Sequence, residues 1–164
     1  MKKILSIALI LVLSLTLLAG CGGGAAEGEG ETPEAKVYNI ATDTTFAPFE
    51  FQNDAGEYVG IDIDILAAVA EDQGFEYELN PLGFSAAVAA LESNQTDAVI
   101  AGMSITEERQ LKYDFSTAYY DSGVVMAIAA GNEEIQSYED LAGKKVAVKT
   151  GTEGATFAES IKDQ

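Results

Sequence analysis

Arg109 closes a run of residues that could hold a small anion. The segment Asp97-Ala98-Val99-Ile100-Ala101-Gly102-Met103-Ser104-Ile105-Thr106-Glu107-Glu108-Arg109 reads as a buried strand, a small-residue turn and a helix start. That order sets a guanidinium fork beside free backbone N–H groups and the Ser104 hydroxyl, a donor set suited to a small carboxylate. Spacing alone would equally allow Arg109 to lie on a solvated helix face, paired with Glu107 or Glu108. The strand and turn that precede it favour the ligand role.

Other chemistries find less support. Asp62 and Asp64 flank Ile63 at a helix mouth, but two carboxylates without a denser cluster suit capping and the helix dipole better than a metal. Gly151-Thr152-Glu153-Gly154 follows a strand but lacks the full glycine and lysine pattern of a phosphate loop, so no nucleotide site is expected. The chain has no histidine and one cysteine, which excludes zinc sites and Cys–His nucleophilic chemistry. No metal and no cofactor are expected. The formal charge of −18 argues against nucleic acid and anionic lipid as partners.

The first residues read as an export signal: Met1-Lys2-Lys3, an apolar run over residues 4–18, then Leu18-Ala19-Gly20-Cys21. The run is too short for a convincing membrane span. Its end resembles the bacterial lipobox, in which the cysteine is diacylated and becomes the mature N-terminus. Cys21 has no second cysteine to pair with, and lipidation accounts for it. Residues 1–20 are thus a signal peptide. Residues 21–36 are the lipidated cysteine and an acidic tether of glycine, alanine and glutamate that cannot bury a core.

The elements that must position Arg109 follow from residue 37. A β-rich run at 37–42 leads into a loop at 43–49, and Phe49-Glu50-Phe51 starts a hairpin that returns through Tyr58-Val59-Gly60. Apolar spacing predicts a helix over 61–73 stopped by Gly74, a strand at 75–79, a second helix at 84–92 and a buried strand at 98–101. This alternation predicts a parallel α/β sheet, with ligands bound beyond the carboxyl ends of its strands. The loops at 43–49, 83–84 and 102–109 all fall there. Further on, strands are predicted at 124–130 and within 144–149, a short helix at 138–142 capped by Ser137, and a helix at 155–161. One strand–helix step cannot cover both faces of a sheet, so the chain reads as truncated.

Several of these stretches resemble the solute-binding proteins of amino-acid ABC transporters, the glutamine binders above all. They are residues 41–51 (ATDTTFAPFEF), residues 60–65 (GIDIDI), Ser104-Ile105-Thr106-Glu107-Glu108-Arg109, Asp114-Phe115-Ser116 and residues 146–152 (VAVKTGT). No single motif decides the matter; five in order do. The resemblance implies a type II periplasmic-binding-protein fold of two α/β lobes that close on the ligand. Residues 37–119 would be the first lobe, nearly complete, 120–124 a hinge crossing, and 125–164 a second lobe only begun. It implies that Arg109 pairs the ligand α-carboxylate with help from the Ser104 hydroxyl, and that the Ala101–Gly102 turn offers the Gly102 carbonyl to the α-ammonium. Phe46 and Phe84, which alone would pass for core aromatics, would sandwich the ligand's aliphatic stem. Asp43 and Lys149 would meet its distal end, and backbone N–H groups at Thr152 and Glu153 would assist. Ser104 stands where glutamine binders carry threonine, and Glu153 where they carry a small residue. The family's ammonium-pairing aspartate would lie beyond Gln164.

If Asp43 and Lys149 both face the distal group, a neutral amide satisfies both, donating to one and accepting from the other. A charged side chain would meet like charge. L-glutamine is the expected ligand, with a basic amino acid as the alternative should Lys149 turn to solvent. The expected partners are ABC permease and ATPase subunits and a membrane reached through the lipid anchor, on the outer face of the cytoplasmic membrane. The competing class is an enzyme on the same fold, such as a cyclohexadienyl dehydratase, which would need an acid or base in the cleft. A receptor-kinase sensor is a third, weaker option.

Overall fold

Parallel strands cannot be joined by a tight turn, and the two helical runs between the apolar strands supply the crossovers. The computed structural model describes residues 36–162, which lie within one compact unit, Ala35–Gln164. Strand β1 (Val37–Thr42) is the centre of a three-stranded parallel sheet, between β5 (Glu76–Pro81) and β6 (Ala98–Val99). Ile40 stands opposite Leu79 on one side and Ala98 on the other. Its neighbours Ala41 and Thr42 are fully buried, which puts the core at the carboxyl end of β1.

Helix α1 (Ile61–Gln73) leads to β5, and helix α2 (Phe84–Glu92) leads from β5 to β6. Leu66 and Ala70 of α1, with Phe84, Ala87 and Ala90 of α2, form the buried faces. Helix α1 stops at Gly74 in the left-handed region, whose N–H donates to the Ala70 carbonyl. Its start is welded to a small antiparallel meander of β2 (Thr45–Phe46), β3 (Glu50–Gln52) and β4 (Tyr58–Val59). The Ile61 and Asp62 N–H groups donate to the Pro48 and Phe49 carbonyls, both at 3.0 Å. Gly60 precedes them, and a Cβ there would lie 2.2 Å from the Phe49 carbonyl oxygen, so the close approach requires glycine.

Both long helices match expectation at both ends. The strand expected at 75–79 is shifted to Glu76–Pro81, and that at 98–101 is shortened to Ala98–Val99. The loop expected at 43–49 contains β2, because Thr45 and Phe46 pair with Phe51 and Glu50. The short helix α3 (Glu107–Gln110) carries Arg109 and is capped by Thr106.

Residues 124–130 and 144–149 form no strand, which corrects the expectation for both. Their β-branched composition favours extended backbone, but a strand exists only through a partner, and none of the described residues pairs with them. The helix expected at 138–142 is a 3₁₀ turn, Tyr138–Leu141, closed by a Ser137/Asp140 capping box. The last helix, α4 (Glu153–Ile161), starts two residues early because Thr152 caps it. The signal sequence, Cys21 and the tether through residue 35 lie outside the described residues. No described helix is long and apolar enough to cross a membrane.

Candidate ligand-binding site

The sheet ends at the places where the sequence concentrates its polar chemistry. Asp43 directly follows β1 and is buried. Its Oδ1 accepts from the Thr44 N–H at 2.7 Å and the Phe84 N–H at 3.1 Å, so it caps the start of α2 from across the sheet. Its Oδ2 pairs with the Lys149 ammonium. Burial alone would push this carboxyl up. The Lys149 contact and the Thr44 and Phe84 amides outweigh it and hold Asp43 below the usual aspartate range. The two residues assigned to the ligand's distal end are thus brought together as a pair.

Arg109 is brought to the same neighbourhood by α3. Its Nη1 donates to the Ser104 carbonyl at 2.9 Å, and its Nη2 donates to the Gly151 carbonyl at 2.9 Å. Nη2 also lies 3.1 Å from a Glu153 carboxylate oxygen. The guanidinium carbon stands 5.8 Å from the centre of the Phe84 ring, a cation–π contact. The contact with Ser104 runs through its carbonyl. Arg109 does not pair with Glu107 or Glu108, which removes the solvated-face alternative.

Arg109 lines a cavity of about 620 Å³ together with Phe84, Ser85, Gly151, Thr152 and Glu153; Asp43, Ser104 and Lys149 are not among its walls. That volume suits a small ligand of roughly amino-acid size or larger. Residues 149–153 reach the cavity as a loop held by polar bonds. Besides the Arg109 contact, the Ser85 hydroxyl donates to the Thr150 carbonyl at 2.9 Å. Thr152 donates through Oγ1 to the Lys149 carbonyl at 2.8 Å and caps α4. The Glu153 N–H is at the first position of that helix, among the N–H groups that have no partner within a helix. Close packing of Gly151 over Phe84 and Ser85 leaves little space: a Cβ there would lie 3.0 Å from the Ser85 oxygen.

Phe46 and Gly102 belong to an adjoining cluster. Phe46 stacks on Phe49 with ring centres 5.1 Å apart, and Phe49 meets Tyr120 edge to face. Gly102 has a positive φ of 52°, and a Cβ on it would lie 2.7 Å from the Phe46 ring. Ala101 is buried just before it. Phe84 is buried beneath Arg109, whereas Phe46 is half exposed, so the two rings meet different surroundings.

Three residues outside the expected set complete the arrangement. Asp62, expected to serve α1 as a dipole partner, is fully buried and turned to the sheet. Its Oδ2 accepts from the Gly102 N–H at 2.6 Å and its Oδ1 from the Tyr119 hydroxyl at 3.0 Å. Glu50 is buried beside it. Ser85 ties α2 to residue 150. The position of Asp62 in the first turn of α1 marked it only as a helix-start carboxylate; nothing in the sequence pointed to Gly102. No cluster of metal-ligating side chains occurs among the described residues.

Comparison with known proteins bears on the whole arrangement. The chain is 39% identical over 114 residues to the L-cystine-binding protein TcyJ of Escherichia coli K12, covering 69% of this chain and 43% of that protein. It is 35% identical to the arginine-binding extracellular protein ArtP of Bacillus subtilis, covering 69% of this chain and 44% of that one. The chain therefore spans less than half the length of these curated relatives. Among solved structures, an ancestral arginine-binding protein bound to glutamine is 38% identical with a TM-score of 0.75, covering 79% of this chain and 58% of that one. An ancestral arginine-binding protein bound to arginine is 39% identical with a TM-score of 0.74, covering 77% of this chain and 56% of that one. The mixed α/β fold is that of the type II periplasmic binding proteins. With its family pattern matched over residues 38–162, the chain belongs to the bacterial extracellular solute-binding proteins, family 3.

Proposed function

We propose that this chain is the substrate-binding component of an amino-acid ABC importer, that it captures a polar L-amino acid and that it delivers it to permease and ATPase subunits. The observation that carries this reading is the Arg109 guanidinium at the wall of the 620 Å³ cavity, beside the start of α4. A guanidinium fork near helix-start N–H groups recognises a carboxylate. In this reading Arg109, the Ser104 hydroxyl and the N–H groups at Thr152 and Glu153 take the α-carboxylate, and the Gly102 carbonyl takes the α-ammonium. Phe46 and Phe84 flank the stem. Residues 37–119 serve as one lobe, 120–124 as the crossing and the residues from 125 as part of a second.

L-Glutamine is the favoured ligand, because the Asp43–Lys149 pair presents an acceptor and a donor side by side and an amide can bridge them. L-Arginine is the second reading, favoured by the arginine-binding relatives; there Lys149 turns outward and Asp43 takes the guanidinium. Titration calorimetry with L-glutamine, L-glutamate, L-arginine and L-cystine decides between them. Glutamine binding tightest is the expected result. Tightest binding of glutamate or of arginine removes the amide argument, and binding of none removes the receptor reading.

The reading is of a binder, not an enzyme, because the carboxylates nearest Arg109, Lys149 and Gly102 are committed. Asp43 is held by Lys149, Glu153 by Arg109, and Asp62 by Gly102 and Tyr119. The Cys21 reading makes the protein a lipoprotein on the outer face of the cytoplasmic membrane. Replacing Cys21 with Ser is expected to move it from the membrane fraction to the soluble or secreted pool; a variant that stays membrane-bound would overturn the anchor.

A further inference from the structure

Glu50 is fully buried, and neither of its carboxyl oxygens receives an N–H or O–H donor. An ionised carboxylate left like that would have surrendered its hydration for nothing. Its neighbour is Asp62, also fully buried, whose own N–H donates at 3.0 Å to the carbonyl of Phe49, the residue before Glu50. Two facing carboxylates out of water do not both stay ionised; one proton held between them removes the repulsion and supplies the missing donor. The remaining contacts decide which residue holds it. Asp62 accepts from the Gly102 N–H on one oxygen and the Tyr119 hydroxyl on the other, so both of its oxygens already have donors. Glu50 has no such donor, so the proton resides on Glu50.

We propose that Glu50 is a positioning residue for the ligand site, protonated at neutral pH and donating its O–H to the Asp62 carboxylate, which in turn holds Gly102 and Tyr119. The proposal rests on the ligand-site reading above. The link joins four separate places in the chain: the β3 strand, the first turn of α1, the turn that leads to Ser104 and Arg109, and Tyr119 just before the crossing. Gly102 lies against the Phe46 ring, so its placement also sets that wall of the site. If the proton is lost, two buried carboxylates repel and the grip on Gly102 and Tyr119 loosens.

The charged surroundings agree. Burial comes first in pushing the Glu50 carboxyl up to about 9, followed by the charge and hydrogen bond of Asp62 and the charge of Asp43, with Lys149 acting the other way. The Tyr119 hydroxyl is itself raised by burial and by Asp62, so it stays a donor throughout. The sign for stability follows. Between the ordinary glutamate value of 4.5 and about 9 the folded chain holds a proton that the unfolded chain has released, so stability falls as pH rises through that window.

The test compares the 164-residue chain with E50Q, whose amide can still donate to Asp62, and E50L, which fills the space without a donor. Without ligand, the wild-type Gly102 amide resonance is expected to titrate near the Glu50 midpoint of about 9, with E50Q flat there. A flat wild type, or an E50Q that titrates identically, overturns the proposal. With L-glutamine and L-arginine as probes, E50Q is expected to keep affinity at neutral pH within about threefold, and E50L to lose about tenfold. Above the midpoint the wild type is expected to weaken relative to E50Q, a ratio that cancels titration of the probe itself. E50L matching E50Q would show that Glu50 only fills space. If neither probe binds while the Gly102 titration is present, the importer reading fails and the protonated pair stands.

Discussion

Residues 37–101 and residues 120–162 both contribute walls to the candidate site, and they are held by different means. The first stretch holds all the described strands and every buried residue. The second has no buried residue, and its apolar side chains remain open, with Val125 at 90% exposure. Lys149 reaches Asp43 and Thr150 reaches Ser85 in the first stretch, Gly151 and Glu153 reach Arg109 between the two, and Tyr120 meets Phe49 edge to face. A wall set by core packing keeps its geometry regardless of ligand. A wall held by ion pairs and single hydrogen bonds can be released and re-formed, because such contacts are weak in water and respond to pH and salt.

Amide hydrogen exchange should expose that contrast most strongly. The N–H groups of β1 and its partners sit in parallel ladders over a buried core, and they should exchange only through large-scale opening. Those of 124–130 and 144–149 have no ladder. Protection should differ by about a thousandfold or more. Equal protection at residues 146–149 and 98–101 would erase the contrast.

Replacing Arg109 with Ala comes next in size. The substitution removes the donors to Ser104 and Gly151, the Glu153 pair and the proposed carboxylate clamp. Amino-acid affinity should fall by about 30-fold or more, as expected for truncating one member of a desolvated charge pair at ~2–5 kcal/mol. Arg109→Lys should fall between the two, since a point charge cannot reproduce the fork. Unchanged affinity in calorimetry would move the carboxylate site away from Arg109.

What could be read from the sequence divides along the same line. Helix α1 was legible to its last residue because its signals are local: an apolar face and a stop at Gly74, which takes the left-handed conformation. Arg109 was legible as chemistry, since a strand, a small-residue turn and a helix start determine where it stands. Its partners were not, because two are backbone carbonyls, which leave no mark in a sequence. Strands at 124–130 and 144–149 were misread because β-propensity describes a residue and a strand describes a pair. Glu50 was missed for a related reason. Between Phe49 and Phe51 it alternates like a solvent-facing residue, yet the close approach at Gly60 brings α1 over it and buries it.

Acid should loosen the polar wall before it affects the packed one. Asp43 has a carboxyl held below its ordinary value of 3.8, so its pairing contributes fully above that value and is lost as pH falls through the lower, folded-state one. The Thr44 and Phe84 amides donate to this carboxylate and report on it directly. Their resonances should stay constant from neutral pH down to the ordinary aspartate range and move only below it. In Asp43→Asn that movement should disappear and binding of a polar amino acid should weaken by about tenfold. A transition near neutral pH would mean that the Lys149 contact does not hold the carboxyl down.

The smallest effect is expected at Glu153, and its sign is the informative part. Its carboxylate is 3.1 Å from Arg109 Nη2, with the Glu153 side chain one-third exposed and that of Arg109 largely covered. A ligand carboxylate recruited by Arg109 must share the guanidinium with Glu153 or displace it. Partly exposed pairs of this kind are worth roughly 0.2–1 kcal/mol. Glu153→Gln removes the charge and keeps the length and the helix-start N–H, so it should tighten amino-acid binding by about two- to fivefold at low salt. The gain should shrink as salt screens the pair, because screening weakens the competition in the wild type as well. If binding weakens instead, Glu153 is orienting Arg109 rather than competing for it. The loop at 149–153 would then be set by the charge on Glu153, and the polar wall would be more firmly built than its exposure indicates.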